Sequence, residues 1–118
     1  MFKSNHLSRI EIKKTLKNGE RFSVKGVTAI FLPSNEKLGI VVIVSKKVSP
    51  SSVNRNKIKR KFREAFRLII KDKENIKGNL ILICHLPKYS FRESVWCLRK
   101  IISFISKKKN GHFHKPLS

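Results

Sequence analysis

Between Arg55 and Arg67 the sequence places Asn56, Arg60, Arg63 and Arg67 at i, i+4, i+7 and i+11. On a helix turning by about 100° per residue these four share one stripe. Arginine presents a planar fork that suits phosphate oxygens, and an asparagine amide offers both a donor and an acceptor to a base edge or a 2′-hydroxyl. The chemistry that fits is recognition of a nucleic-acid backbone. The surrounding segment strengthens it: Lys46 to Lys71 holds ten Lys or Arg and a single acid, Glu64. Ile58, Phe62, Ala65, Phe66 and Ile69 recur on a second stripe. The segment therefore folds with one side buried and holds its charge on a fixed face, unlike a solvated tail.

Other chemistry finds little support. The seven acids Glu11, Glu20, Glu36, Glu64, Asp72, Glu74 and Glu93 are scattered. No pair has the spacing of a two-metal nuclease site or of a general acid and base. No Gly-rich phosphate loop follows a strand, and no nucleophile motif is present. Catalytic residues are expected to be absent from the polypeptide. Cys84 and Cys97 fall in apolar runs and read as reduced, buried thiols. With His85, His112 and His114 they match no compact zinc-ligand spacing, so no metal site is expected.

Composition sets the partner class. The 118 residues suffice for one domain with a core. With 28 Lys or Arg against 7 Asp or Glu, the formal charge is +21. That charge repels itself in the folded state, and a polyanion relieves it. A membrane is the weaker choice. No apolar run approaches the ~20 residues of a spanning helix, and Met1 to Lys17 lacks the apolar core of a signal peptide. A cytoplasmic protein is expected, as one domain over residues 1–118 with flexible basic ends at 1–7 and 107–118.

The elements that must position these residues can be read along the chain. Ser8 to Lys17 is a short helix with a Ser8/Glu11 capping box, ended by Asn18-Gly19; Ile12 and Leu16 share a face. Arg21 to Pro33 is extended, with a bend or bulge at Gly26. Pro33 to Lys37 reads as a turn. Leu38 to Val44 is apolar on both faces, as in a central strand. Lys46 to Asn54 is a loop, Arg55 to Asp72 the basic helix, and Asn79 to Leu86 a second buried strand ended by Pro87. Ser90 and Glu93 open a last helix running to about Ser106. The order α-β-β-β-α-β-α, or the same with one strand fewer, predicts an α+β sandwich with helices packed on a small sheet. The two most apolar strands flank the basic helix and suit a parallel pair, whose crossover is right-handed by the general rule.

At Arg55-Asn56-Lys57-Ile58-Lys59-Arg60-Lys61-Phe62-Arg63 the chain resembles the protein subunit of bacterial ribonuclease P, whose signature runs Arg-Asn-Arg-x-Lys-Arg followed by further Arg. The lead-in Val44 to Val48, the N-terminal helix ending in Lys17-Asn18-Gly19 and the strand before Pro87 also resemble that family, over about residues 5–106. The resemblance implies a fold like the second domain of ribosomal protein S5, a two-layer sandwich with a left-handed β-α-β crossover, against the general rule. It implies a ribonucleoprotein endonuclease that removes the 5′ leader of precursor tRNA, in which the RNA subunit is the catalyst. Magnesium ions are held mainly by that RNA. The implied partners are the RNA subunit and the precursor tRNA leader, with no further protein required.

The resemblance also implies site residues. Arg55, Asn56, Lys59, Arg60 and Arg63 match the signature and face the RNA; Lys46, Lys47, Lys57 and Arg67 add charge beside them. Lys57 stands where the family has a second Arg, so the bidentate fork is missing there. Ser49-Pro50 replaces a more usual Gly-containing turn. The family's leader cleft lies between the first helix and the sheet. Its matching positions here are Ile12 and Leu16, with a ring from Phe22 or Phe31, either of which also suits the core. A different reading of the same composition is a small ribosomal or RNA-chaperone protein with a structural role; the RNA that co-purifies separates the two.

Overall fold

A computed structural model describes residues 7–71 and 76–109. The order is α1 (Arg9–Asn18), β1 (Glu20–Val24), β2 (Val27–Lys37), β3 (Gly39–Val44), α2 (Ser52–Ile70), β4 (Lys77–Cys84) and α3 (Phe91–Lys109). This is the α+β arrangement and element order expected. The four strands form one mixed sheet in the order β1-β2-β4-β3. β1 and β2 are an antiparallel hairpin, β4 runs antiparallel to β2, and β3 and β4 are the parallel pair.

Strand alternation divides the sheet into two faces. Val27, Ala29, Phe31, Ile40, Val42, Val44, Leu80, Leu82 and Cys84 point to one side. There they meet Ile58, Phe62, Phe66 and Ile70 of α2, and Cys97, Leu98, Ile101, Ile102 and Ile105 of α3. The opposite face carries Ile30 and Ile81, both fully buried, and Asn79. There α1 packs against β4 and β2.

Several boundaries moved for local reasons. Lys25 and Gly26 both have positive φ, 40° and 78°, so they are the two central residues of a tight hairpin rather than a bulge. A side chain at Gly26 would also meet Leu86, with Cδ1 2.7 Å from the Cβ position. Pro33 to Lys37 is not a turn: β2 continues through it, with a register shift where Pro33 pairs with Gly78 and Lys37 with Lys77. The residues between them, 34–36, have no partner in β4. β4 ends at Cys84, before His85 and Leu86, because the Leu86 N–H is taken by the Tyr89 hydroxyl at 3.2 Å. The Ser90/Glu93 capping box is present, but α3 continues to Lys109 rather than stopping near Ser106. The expected end of the basic helix at Asp72, and the expected flexible stretches at 1–6 and 110–118, lie outside the described residues.

Both cysteines are free and buried, as expected. Burial pushes the Cys84 thiol up to about 12, with the neighbouring Cys97 adding to the shift, and burial also raises Cys97. Burial pushes the Tyr89 hydroxyl up to about 12 as well. Each group loses its proton more readily when unfolded. Their contribution to stability is therefore complete below the ordinary thiol value of about 8.5 and is lost as pH climbs toward 12. Comparison with the Cys84→Ala variant cancels the pH dependence of every other group, so that variant is the reference. The urea midpoint of the parent should fall relative to that of Cys84→Ala from pH 9 upward; a gap independent of pH would refute the buried-thiol account.

Candidate nucleic-acid interface

The basic helix begins three residues earlier than the wheel suggests. Ser51 is its N-cap, and its hydroxyl accepts from the Asn54 N–H at 3.2 Å. The preceding loop is folded back on itself. The Val48 and Ser49 N–H groups both donate to the Ser45 carbonyl at 3.1 Å. Ser49 is buried, and its hydroxyl accepts from Asn54 Nδ2 at 2.8 Å; the same amide nitrogen donates to the Pro87 carbonyl at 3.0 Å. Asn54 thus ties the loop before α2 to the connection after β4. Nothing in the composition marked it, because an asparagine in a serine-rich loop reads first as a turn residue.

Arg55 departs from its expected place. It is half-buried, on the inner side of the helix, and its Nη1 donates to the Ser49 and Pro50 carbonyls at 2.9 Å each. It holds the Ser49-Pro50 loop instead of joining the outer stripe. Lys61, outside the expected set, is half-buried and donates to the Tyr89 carbonyl at 2.7 Å. The remaining expected residues stay outward. Asn56, Lys57, Arg60, Arg63 and Arg67 are exposed, and Lys59 is half-buried between the two stripes. Lys46 and Lys47 are exposed in the loop that leads from β3 into α2. The structure therefore brings together a row of three arginines and an asparagine, with four lysines flanking it. The row is rigid because Ile58, Phe62, Ala65, Phe66 and Ile70 are buried beneath it.

The expected leader cleft assembles only in part. On α1 the buried residue is Thr15, which neither periodicity nor resemblance singled out. Its hydroxyl donates to the Glu11 carbonyl at 2.7 Å and accepts from Asn79 Nδ2 at 3.2 Å. This buried polar contact fixes α1 on the sheet. Ile12 is half-buried beside it, and Leu16 is 36% exposed. Phe31 does not join them. It pairs with Leu80 on the face covered by α2 and α3, while its neighbour Ile30 takes the α1 side. Phe22 shares Phe31's face, opposite Ala29, and its ring lies 4.1 Å from that of Phe104 in α3. Beyond α1, the open part of its face presents Val41, Ile43 and Ile83, all half-buried, with Thr28 hydrogen-bonded to His85 at 2.8 Å. Among the described strand residues, no aromatic ring points to this side.

The donor set of the α2 face does not suit a hard cation. Magnesium takes oxygen ligands in near-octahedral geometry, and this face offers cations with Glu64 as its one carboxylate. Among the described residues, no three His, Cys, Asp or Glu side chains gather in a way that could hold a metal. No described helix is long and apolar enough to cross a membrane.

Comparison with known proteins gives a consistent result. The family model described as ribonuclease P matches residues 2–109. The ribonuclease P protein component of Rickettsia prowazekii is 38% identical over 69 residues, covering 58% of this chain and 56% of that protein. The chain thus spans little more than half the length of that relative. The ribonuclease P protein component of Borrelia duttonii is 23% identical over 107 residues, covering 89% of this chain and 94% of that protein. Among solved structures, the Staphylococcus aureus RNase P protein superposes with a TM-score of 0.73 at 19% identity, covering 86% of this chain and 95% of that one. The Thermotoga maritima RNase P protein gives 0.71 at 18% identity, over 84% and 96%. At these identities the structural matches establish a shared fold.

Proposed function

The chain belongs to the ribonuclease P family, and from that premise we propose that it is the protein subunit of a ribonucleoprotein endonuclease that trims the 5′ leader from precursor tRNA. The observation that carries the reading is the exposed row Asn56, Arg60, Arg63 and Arg67 on α2, backed by a fully apolar inner stripe. A rigid cationic row of this kind neutralises several phosphates at once and releases their counterions. The folded loop behind it, held by Asn54 and Arg55, presents Lys46 and Lys47 at the start of the same helix.

In this reading the RNA subunit carries the reaction and holds the magnesium ions, since the α2 face supplies no oxygen cage for them. The chain binds that RNA through α2 and offers the leader the aliphatic surface of Ile12, Val41, Ile43 and Ile83. Without a Phe, Tyr or Trp ring, that aliphatic surface gives apolar contact but not the ~1–3 kcal/mol per base of aromatic stacking. A cytoplasmic location accompanies this role.

The test is reconstitution with the RNA subunit from the same source. At limiting magnesium, cleavage of precursor tRNA should rise when the full chain is added, because its cations replace part of the ionic screening. Cleavage that does not respond to the chain would sink the reading. So would a pull-down that recovers ribosomal RNA in place of the ribonuclease P RNA.

A further inference from the structure

One surface plays no part in the reading above. Trp96 lies on the flank of α3 that faces β1 and is 46% exposed. It is the only tryptophan of the chain. Two lysines from different elements converge on its ring: Lys25 of the β1–β2 turn, with Nζ 5.8 Å from the centroid, and Lys100 of α3, at 5.4 Å. Phe104, two helical turns beyond Trp96, is 37% exposed and packs on Phe22 of β1. Lys100 stands between the two rings on the same stripe, since 96, 100 and 104 are spaced by four. Glu93, an acid on this flank, is occupied: its carboxylate accepts from the Ser90 N–H at 2.8 Å. That bond, followed by the charge of Lys25, keeps its carboxyl below the usual carboxylate range.

We infer that Trp96, Lys25 and Lys100 form a second binding site on α3, which takes a single-stranded RNA segment by stacking a base on the indole while the two ammonium groups meet the flanking phosphates. An indole face accepts any base; the two ammonium groups, which lie over the ring in the free chain, swing aside to the backbone phosphates when a base takes their place. Charge selects this occupant over a second copy of the chain. Two molecules carrying +21 each would bring lysines against lysines here, whereas an RNA strand brings phosphates. The hairpin geometry at Lys25-Gly26 places Lys25 over α3, so the site is built by the fold and not by α3 alone. The inference does not rest on the role in tRNA maturation, because its test uses RNA that lacks tRNA and leader.

The test uses the full chain carrying Arg60→Ala, Arg63→Ala and Arg67→Ala, so that α2 does not mask a second site. Because Trp96 is the sole tryptophan, its fluorescence reports on the site directly. Titration with a ten-nucleotide oligouridylate should quench the emission saturably, while inorganic polyphosphate, which has no bases, should bind without quenching. Trp96→Leu should weaken the oligonucleotide about 5- to 150-fold by anisotropy, the equivalent of ~1–3 kcal/mol for one stacked base. Trp96→Phe should keep most of the affinity. Lys25→Gln and Lys100→Gln should each lower the salt slope by about 0.7. Oligonucleotide that binds without quenching overturns the proposal, as does an equal loss in Trp96→Leu and Trp96→Phe. An emission shift that appears on concentrating the protein without RNA also overturns it and assigns the face to self-association.

Discussion

Replacing Arg60, Arg63 and Arg67 together by alanine should weaken binding to the ribonuclease P RNA roughly 10³-fold at moderate salt, without unfolding the chain. Three charge-assisted phosphate contacts are lost, each worth ~1.5 kcal/mol at the low end of the range for charged hydrogen bonds. The plot of log affinity against log salt should flatten by about 2.7, or ~0.9 for each duplex phosphate no longer neutralised. All three side chains are exposed, so each substitution should shift stability by no more than ~0.5 kcal/mol. Lysine at the same positions should restore the slope but not the full affinity, because the planar fork is gone. Arg55→Ala is the informative contrast. That guanidinium is bonded to the Ser49 and Pro50 carbonyls, so its loss should loosen the loop and lower stability, with little change in salt slope. Binding and circular dichroism measured across a salt series decide it; an unchanged slope in the triple variant would show that the α2 row does not touch phosphate.

Phe62→Ala should be the most damaging core substitution, at ~3–5 kcal/mol. The ring is fully buried and meets Tyr89 edge-on, with centroids 5.1 Å apart and planes at 78°. That geometry adds ~0.5–1.5 kcal/mol beyond area alone. A domain of this size has only ~5–15 kcal/mol in total, so a large unfolded fraction is expected on warming. The loss matters for RNA binding because Phe62 lies between Arg60 and Arg63 in sequence and anchors the helix that carries them. Phe62→Leu should cost much less, since it keeps most of the volume. Urea unfolding of both variants gives the measurement, and a cost below 1 kcal/mol for the alanine would show that α2 is not anchored through this ring.

How far the sequence foretold this depended on whether one local rule acted alone. The division of α2 into an apolar and a cationic stripe was legible, because five buried residues repeat at helical period with no competing signal. Its first turn was not, since Ser49, Ser51 and Ser52 each offer a cap and Pro50 reads as a loop. Arg55 entered through the family signature, yet its angular position lies on the inner half of the helix, and a carbonyl pair was waiting there. Phe31 suits the cleft or the core on sequence, because β2, β3 and β4 are apolar on both faces, and it takes the core. Alternation then says which residues go together, but not which face α1 covers. That choice rests on Thr15 and Asn79, two small polar residues 64 positions apart, whose contact no periodicity announces. Pro33 to Lys37 has the residues of a turn, yet β2 runs through it, paired with β4 only at Pro33 and Lys37.

The parallel pairing of β3 with β4 has a consequence for synthesis. Gly39 to Val44 finds its partner only in Asn79 to Cys84, and α2 lies in the stretch between. A ribosome releasing the chain from its N-terminus exposes the arginine row well before the strand that completes the sheet. Until β4 and α3 arrive, the inner stripe of α2 has only β3 to cover it, and contacts so distant in sequence form late. A chain halted before residue 84 therefore carries the right charges on an unanchored helix. Under the proposed role, recognition of RNA through this row is deferred until β4 and α3 have been made.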